Sequence, residues 1–426
     1  MQIVDRALER RQQEGRPIKV GMVGAGYMGR GMARAMETMT GIEVVAIANR
    51  TVANADQAFS DSGIESASLV SDQEAMDRTI AAGGRAITSD PMLVVRAGGI
   101  EAIIECTGEV EGAARVVVEA IDQGKHVLLV NAELDATVGP ILKVRADRAG
   151  VVITNSDGDE PGVAMNLFRF VDAIGYRPVL AGNVKGFLDH HRTPDTQRGF
   201  ADAHGQRPIM VTSFADGTKL SLEAAVLANA TGFKVKQRGM EGPKLDHVRD
   251  LLPLLEPKEL LDQGIVEFVL GAEPGSGAFV IGYNDDPILS PYMSYFKMGD
   301  GPLYLFYRPF HLTHLEAPLS VARAVLFDDA TIAPAGAPTC EVVTVAKRDL
   351  EPGDELDGIG GFTVYGMIDN LEVAQSERAL AMGLTAGARV TRPVAADTML
   401  TIDDVDLPPD RLVDQLRREQ SEHFGH

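Results

Sequence analysis

Through its first third the chain alternates short apolar runs with amphipathic stretches. "IKVGMVG" is a continuous apolar run of strand length, and 28–38 after it carries apolar residues at helical spacing. "IEVVAIAN", "RAITSD", "GIEAIIECTG", "HVLLVNAE" and "VVITNSDGD" repeat the strand signal. "EGAARVVVEAIDQG" and "GPILKVRADRAG" supply helices between them, 53–80 reads as helix with loops, and 4–13 is a leading helix ended by Gly15-Arg16-Pro17. Apolar strands alternating with helices predict a parallel sheet wound on both faces, with its strand C-termini at one ligand-binding edge.

After Asp157 the pattern changes. "PGVAMNLFRFVDAIG" is helical and "RPVLAGNVKGF" strand-like. "RPIMVTSFADGTKLSLEAAVLANAT" alternates about Asp216-Gly217, which predicts two strands joined by a turn and running into a helix. "GIVEFVLG" and "GAFVIGYN" are further strands, and "EAPLSVARAVLF" is a helix expected to return to the first domain. The Pro- and Ala-rich 332–338 reads as a linker, followed by short strands with Pro/Gly turns and an amphipathic C-terminal helix. The expected organisation is α/β: an N-terminal helix (1–16), a doubly wound parallel domain (17–156), a central α+β domain (157–331), a small β-rich domain (338–408) and a C-terminal helix (409–426).

The length of 426 residues agrees with about three domains. A formal charge of −21, spread along the chain, argues against non-specific nucleic-acid binding. Two cysteines, Cys106 and Cys340, exclude a disulfide framework and a cysteine zinc site. The N-terminus lacks the apolar core of a signal peptide, and no apolar run has bilayer length. These features predict a cytoplasmic enzyme acting on a small molecule, with neither nucleic acid nor membrane as partner.

The candidate chemistry begins at Gly24-x-Gly26-x-x-Gly29, set between a strand and a helix, which is the context of the Rossmann dinucleotide fingerprint. Gly24 permits the tight turn, Gly26 lets a pyrophosphate approach the backbone, and Gly29 lets helix and strand pack closely. Tyr27 and Met28 open the helix whose N–H groups would meet the phosphates. Where NAD enzymes place a carboxylate, at the end of the second strand, this chain has Asn49, Arg50 and Thr51. Arg50 would pair with a 2′-phosphate, which favours NADP(H); alternatively it caps a surface turn. Cys106, Thr107 and Gly108 end the fourth predicted strand, near a nicotinamide ribose, with Cys106 read as a small buried thiol rather than a nucleophile. Asn131 and Glu133 end the fifth and are expected to face the nicotinamide, with Glu133 orienting substrate alongside Asp159 and Glu160. Asp157, Asp159 and Glu160 end the sixth; they orient substrate, bind a divalent cation, or merely favour the helix that starts at Pro161. Lys185 is the candidate acid for an oxygen at the reacting carbon. Lys297 and Arg308 are candidate substrate cations, Arg308 suiting an anionic group.

"GAGYMGRGM", "IIECTG", "GKHVLLVNAELDATVGPILKVRAD" and "GDEPG" together resemble the homoserine dehydrogenase-like oxidoreductases. "ANATG", with Asn229, and "GPLYLFYRPFHLTHLEAPLSVARAVL" resemble more closely the deoxyxylulose phosphate reductoisomerase-like (DRL) group, and 340–407 is similar to a SAF domain. The resemblance implies a Rossmann domain, a catalytic α+β domain that also dimerises, a SAF-like appendage, and an NADP-dependent oxidoreductase forming a homodimer or homotetramer. The group's reference enzyme rearranges and reduces 1-deoxy-D-xylulose 5-phosphate to 2-C-methyl-D-erythritol 4-phosphate. By position, Lys185 matches a lysine in the group's "GKGK"-like stretch, whose first lysine is Asn183 here, and Asp300 stands where a lysine is expected. The loss of two positive charges points to an unphosphorylated polyol, sugar acid or amino-acid-derived carbonyl. Two alternatives stay open: a simple homoserine dehydrogenase-type enzyme, although the lysine of its "ANK" segment is Glu133 here, and a non-enzymatic NADPH-binding sensor.

Overall fold

Residues 3–425 are described by a computed structural model. Helix α1 (Val4–Gln13) leads into β1 (Ile18–Val23), α2 (Tyr27–Glu37), β2 (Ile42–Ala48), α3 (Val52–Asp61), β3 (Ser68–Leu69), α4 (Gln73–Ala81), β4 (Ala86–Thr88) and α5 (Pro91–Arg96). Then come β5 (Ala102–Glu105), α6 (Glu111–Asp122), β6 (His126–Leu129), α7 (Ala132–Ala149) and β7 (Ile153–Asn155). The chain continues through α8 (Glu160–Ala173), β8 (Arg177–Lys185), α9 (Pro194–Ala203), α10 (Pro208–Ala215), α11 (Thr218–Thr231), α12 (Pro257–Asp262), β9 (Ile265–Leu270), β10 (Ala278–Tyr283), α13 (Ser290–Tyr295) and β11 (Leu303–Arg308). It ends with α14 (Thr313–Phe327), β12 (Cys340–Ala346), β13 (Val364–Asn370), α15 (Leu371–Ser376), β14 (Arg389–Val390), β15 (Val405–Asp406) and α16 (Leu412–Phe424).

These elements form two compact units. The first holds the chain up to Asp159, Leu312–Ala333 and the stretch from Leu412. Its sheet has seven parallel strands in the order β3-β4-β2-β1-β5-β6-β7. The order reverses between β1 and β5, so a crevice opens at the C-terminal ends of those two strands. Ile18, Val20, Met22, Val44 and Ile104 from the strands pack with Met32 and Met36 of α2 and Ala317 and Val321 of α14 in one buried core. The expected α/β class with a doubly wound parallel sheet is what the structure has.

The second unit holds Glu160–His311 and Pro334–Arg411. Its mixed sheet runs β11-β10-β8-β9, with β8 and β9 parallel and the other pairs antiparallel. Val179, Val184, Phe279 and Ile281 from that sheet bury against Val248, Leu251 and Leu260. The β-rich region after 338 contributes two two-stranded sheets, β12-β13 and β14-β15, to the same unit.

Two expectations are corrected. The hairpin about Asp216-Gly217 is instead the helix pair α10 and α11, with Gly217 in the left-handed region at φ 85° between them. Asp216 is wholly buried and its Oδ1 accepts from Thr218 N at 2.9 Å, which starts a helix rather than a hairpin turn. Helix α7 starts at Ala132 rather than Gly139, because Asn131 caps it by accepting from Leu134 N at 3.0 Å, and it carries Pro140 inside. Among the described residues, no helix is long and apolar enough to cross a membrane.

Candidate functional site

The glycine loop follows β1. Gly24 has φ +108°, and a Cβ there would stand 2.8 Å from Cys106 O; a Cβ on Gly29 would stand 2.6 Å from Gly24 O. Both glycines are therefore demanded by the protein's own packing. Gly26 differs. Its φ is −78°, and a Cβ there would meet no protein atom within 4 Å. The fold does not need glycine at 26, but close approach of a ligand to the backbone at the start of α2 does. The residues present thus fit a dinucleotide: Gly26, Tyr27 and Met28 open α2, with Tyr27 exposed and Met28 packed on the core.

Asn49 braces this loop: its Oδ1 accepts from Ala25 N at 3.0 Å and its Nδ2 donates to Thr51 O at 2.8 Å. Arg50 is 88% exposed and lies 4.0 Å from Glu109 at the nearest approach, a contact too exposed to hold it. Its guanidinium is thus available to a 2′-phosphate. Replacing Gly26 by Val is expected to leave folding within about 1 kcal/mol of wild type. The same change should weaken binding of a nicotinamide dinucleotide about a hundredfold, the worth of two lost charge-assisted hydrogen bonds. Calorimetric titration alongside a thermal melt checks both.

Cys106 Sγ lies 3.1 Å from Gly24 O. Burial, reinforced by the charge of Glu105, pushes its thiol far above the ordinary range, so it packs and does not attack. Asn131 does not face the crevice. It is wholly buried, donates to Glu105 Oε2 at 2.6 Å and to Glu109 O at 2.8 Å, and caps α7. Glu105, which the sequence reading passed over, also accepts from the N–H of Thr107 at 3.0 Å and from its hydroxyl. Its only signal in the sequence is a lone charge at the end of an apolar strand. Glu133 is buried in the first turn of α7.

The acids 157–160 do not gather into a cation site. Asp157 lies 3.5 Å from Arg323, and its N–H donates to Ser320 Oγ at 2.7 Å; Asp159 accepts from Thr313 Oγ1 at 3.4 Å. Glu160 has other partners, described below. Among the described residues, no cluster of three or more His, Cys, Asp or Glu could hold a metal ion.

In the second unit Lys185 ends β8 and Glu160 begins α8. Lys185 Nζ lies 2.7 Å from Glu160 Oε2 and 3.8 Å from Glu223 Oε2. Lys219 Nζ lies 3.7 Å from Glu223 Oε1. Asn183 donates to Glu160, and His311 Nε2 stands 3.5 Å from Glu160 Oε1. Burial alone would raise the Glu160 carboxyl, but Lys185, then His311, hold it down at about 2. Lys219 and Glu223 are functional candidates that the sequence reading missed. Their i,i+4 spacing puts them on one face of α11, a signal hidden by the strand assignment. A small cavity beside the cluster, with about 10 Å³ for water, is lined by Glu160, Asn183, Glu223 and Glu267.

Of the other expected substrate residues, Arg308 is level with Asn183 across β10, since both pair with Ala278. Asn229 is a structural clip: its Oδ1 accepts from Thr339 N at 2.8 Å and Cys340 N at 3.1 Å. Lys297 is exposed on the arm between β10 and β11, where Asp300 accepts from Ser294 Oγ at 2.8 Å. Arg308 ends β11 with its guanidinium 4.3 Å over the ring of Phe310.

No curated protein matches the chain. Among solved structures, a probable dehydrogenase from Thermotoga maritima is 12% identical over 63% of this chain and 73% of that chain, with a TM-score of 0.39. A scyllo-inositol dehydrogenase from Lactobacillus casei, solved with NAD(H) and scyllo-inositol, is 15% identical over 63% and 74%, with a TM-score of 0.37. A biliverdin reductase from Synechocystis sp. PCC 6803, solved with biliverdin and NADP+, is 16% identical over 41% of this chain and 48% of that one, with a TM-score of 0.29. At such identities and TM-scores these likenesses bear on neither activity nor substrate. Residues 158–317, which carry Glu160, Asn183, Lys185, Lys219 and Glu223, match the family model described as the catalytic domain of oxidoreductase DRL.

Proposed function

We propose that the protein is an NADP(H)-dependent oxidoreductase acting on a small, unphosphorylated polyhydroxylated carbonyl or its alcohol. The observation that carries this reading is Lys185, half-buried beside Glu160 and Glu223 within the segment that matches an oxidoreductase catalytic domain. A bound nicotinamide would supply or accept the hydride. Lys185 holds a proton at Nζ and gives it to the substrate oxygen as the carbon is reduced, or takes it back in the other direction. Glu160 stays ionised and keeps Lys185 charged and oriented, while Asn183 fixes the Glu160 carboxylate. Arg50 and the absence of a carboxylate at Asn49–Thr51 support NADP(H) over NAD(H).

The substrate class follows from charge. Lys185 and Lys219 are matched by Glu160 and Glu223, so the cluster has no surplus cation for a phosphate dianion. Hydroxyl groups suit such a mixed donor–acceptor set. Supplying NADPH with a panel of small ketoses, inososes and sugar-acid carbonyls, and following absorbance, tests the reading. Consumption is expected with unphosphorylated members, and a preference for phosphorylated ones would contradict it. Product analysis separates plain reduction from reduction coupled to skeletal rearrangement. A protein that binds NADPH but oxidises it with no carbonyl would be the sensor alternative.

A further inference from the structure

We infer that Glu105 is the positioning residue of the dinucleotide site: its buried carboxylate pins the β5–α6 loop to the start of α7, and the pin is made in the ionised form. The inference rests on reading the glycine loop as a dinucleotide site. Glu105 is the last residue of β5, paired with Val23 of β1, and it is fully buried. Three donors converge on it. Thr107 N–H lies 3.0 Å away and Thr107 Oγ1 donates to the same Oε1, while Asn131 Nδ2 reaches Oε2 at 2.6 Å. One side chain thereby fixes Thr107, in the β5–α6 loop, and Asn131, the residue that caps α7.

Three donors suit a carboxylate, which only accepts. A protonated carboxyl would set its own hydrogen against one of them. Asn131 cannot answer by turning its amide over, because its Oδ1 caps α7 at Leu134 N (3.0 Å) and its Nδ2 also holds Glu109 O (2.8 Å). Thr107 can reverse its hydroxyl and accept that hydrogen, but its Oγ1 already accepts from Glu109 N at 3.3 Å, so the reversal competes with the loop's own hydrogen bond. The groups facing Glu105 make its charge costly. Glu133 from α7 repels it, the Cys106 thiol adjoins it, and among the described residues no cation pairs with it. Burial first, then Glu133, pushes the carboxyl up to about 7 against the pull of Thr107 and Asn131. The pin therefore makes and breaks near neutral pH. The raised value also means that Glu105 stabilises the folded apoprotein most at low pH, and that this stabilisation is lost as pH rises from about 4.5 to about 7. A dinucleotide that needs the pinned loop opposes that loss.

The test is calorimetric titration of the full chain with NADPH between pH 6 and pH 8. Wild type is expected to bind about tenfold tighter at pH 8, the coupling of one pKa unit, with a midpoint near 7. Glu105→Gln should bind more weakly at pH 8 and with a flatter profile. Ionisation of the 2′-phosphate is common to both proteins and cancels in their ratio. Thr107→Val keeps the buried carboxyl and removes one hydrogen bond that lowers its pKa, so the midpoint should move up. Identical profiles for wild type and Glu105→Gln overturn the inference and leave the dinucleotide reading intact. If Glu105→Gln does not fold, an unmoved midpoint in Thr107→Val overturns it instead. No NADPH binding by wild type at any pH overturns both.

Discussion

Replacing Lys185 by Met should lower turnover about 10²- to 10⁴-fold, the usual worth of a positioned proton donor, while NADPH affinity stays at its wild-type value. The two effects separate because Lys185 belongs to the second unit and the glycine loop to the first. Wild-type turnover in the variant, measured with the substrate found in the carbonyl panel, would remove Lys185 from the chemistry. Lost turnover with lost folding would leave it a structural ion pair, so a thermal melt accompanies the rates. The pH dependence gives a second check. The folded-state carboxyl of Glu160 is depressed from 4.5 to about 2, so its contribution to stability is fully present above about 4.5 and disappears as pH falls toward 2. Without Lys185 the main cause of that depression is gone. The Lys185→Met protein should therefore lose less stability on acidification than wild type.

The first unit was legible because each strand is an uninterrupted apolar run and the glycine pattern lies between β1 and α2. What escaped was the partner of each polar residue. Asn131 sits at a strand end, where a ligand contact is a fair expectation, yet Glu105, the Glu109 carbonyl and the α7 cap take up its amide N–H groups and its oxygen. Asn229 is spent in the same way on the backbone at Thr339 and Cys340, some hundred residues further on. Periodicity does not report such pairings. The α10–α11 error has another cause. Helix α11 is buried at twelve of its fourteen positions, so it shows no polar stripe, and a helix without a stripe is hard to tell from alternating strand. Lys219 and Glu223 were lost with it, although Lys185 and Glu160, with which they share a cluster, were found from their places at element ends.

A different lysine should carry the largest stability effect. Lys347 and Asp216 form a fully buried ion pair at 2.9 Å, and Lys347 Nζ also donates to Arg192 O and Gly361 O, each at 2.8 Å. His190 accompanies the pair, its Nδ1 2.7 Å from Asp216 O and its ring stacked on Tyr365. The pair thus ties α10 and the turn after β8 to β12 and β13. Replacing Lys347 by Met leaves Asp216 as a lone buried charge and two carbonyls without their donor. The expected loss is about 3–5 kcal/mol, roughly 10 °C in melting temperature for a unit of this size. Acid should relieve it. Burial already raises the Asp216 carboxyl against the pull of Lys347; without the lysine it rises further, and the neutral form is easier to bury. The stability deficit should therefore be smaller at pH 5 than at pH 8. Pairing Lys347→Met with Asp216→Leu should recover much of the loss, because an apolar pair replaces the ion pair and no charge is left behind. Equal deficits for the single and the double variant would mean that Lys347 acts through the two carbonyls and not through Asp216.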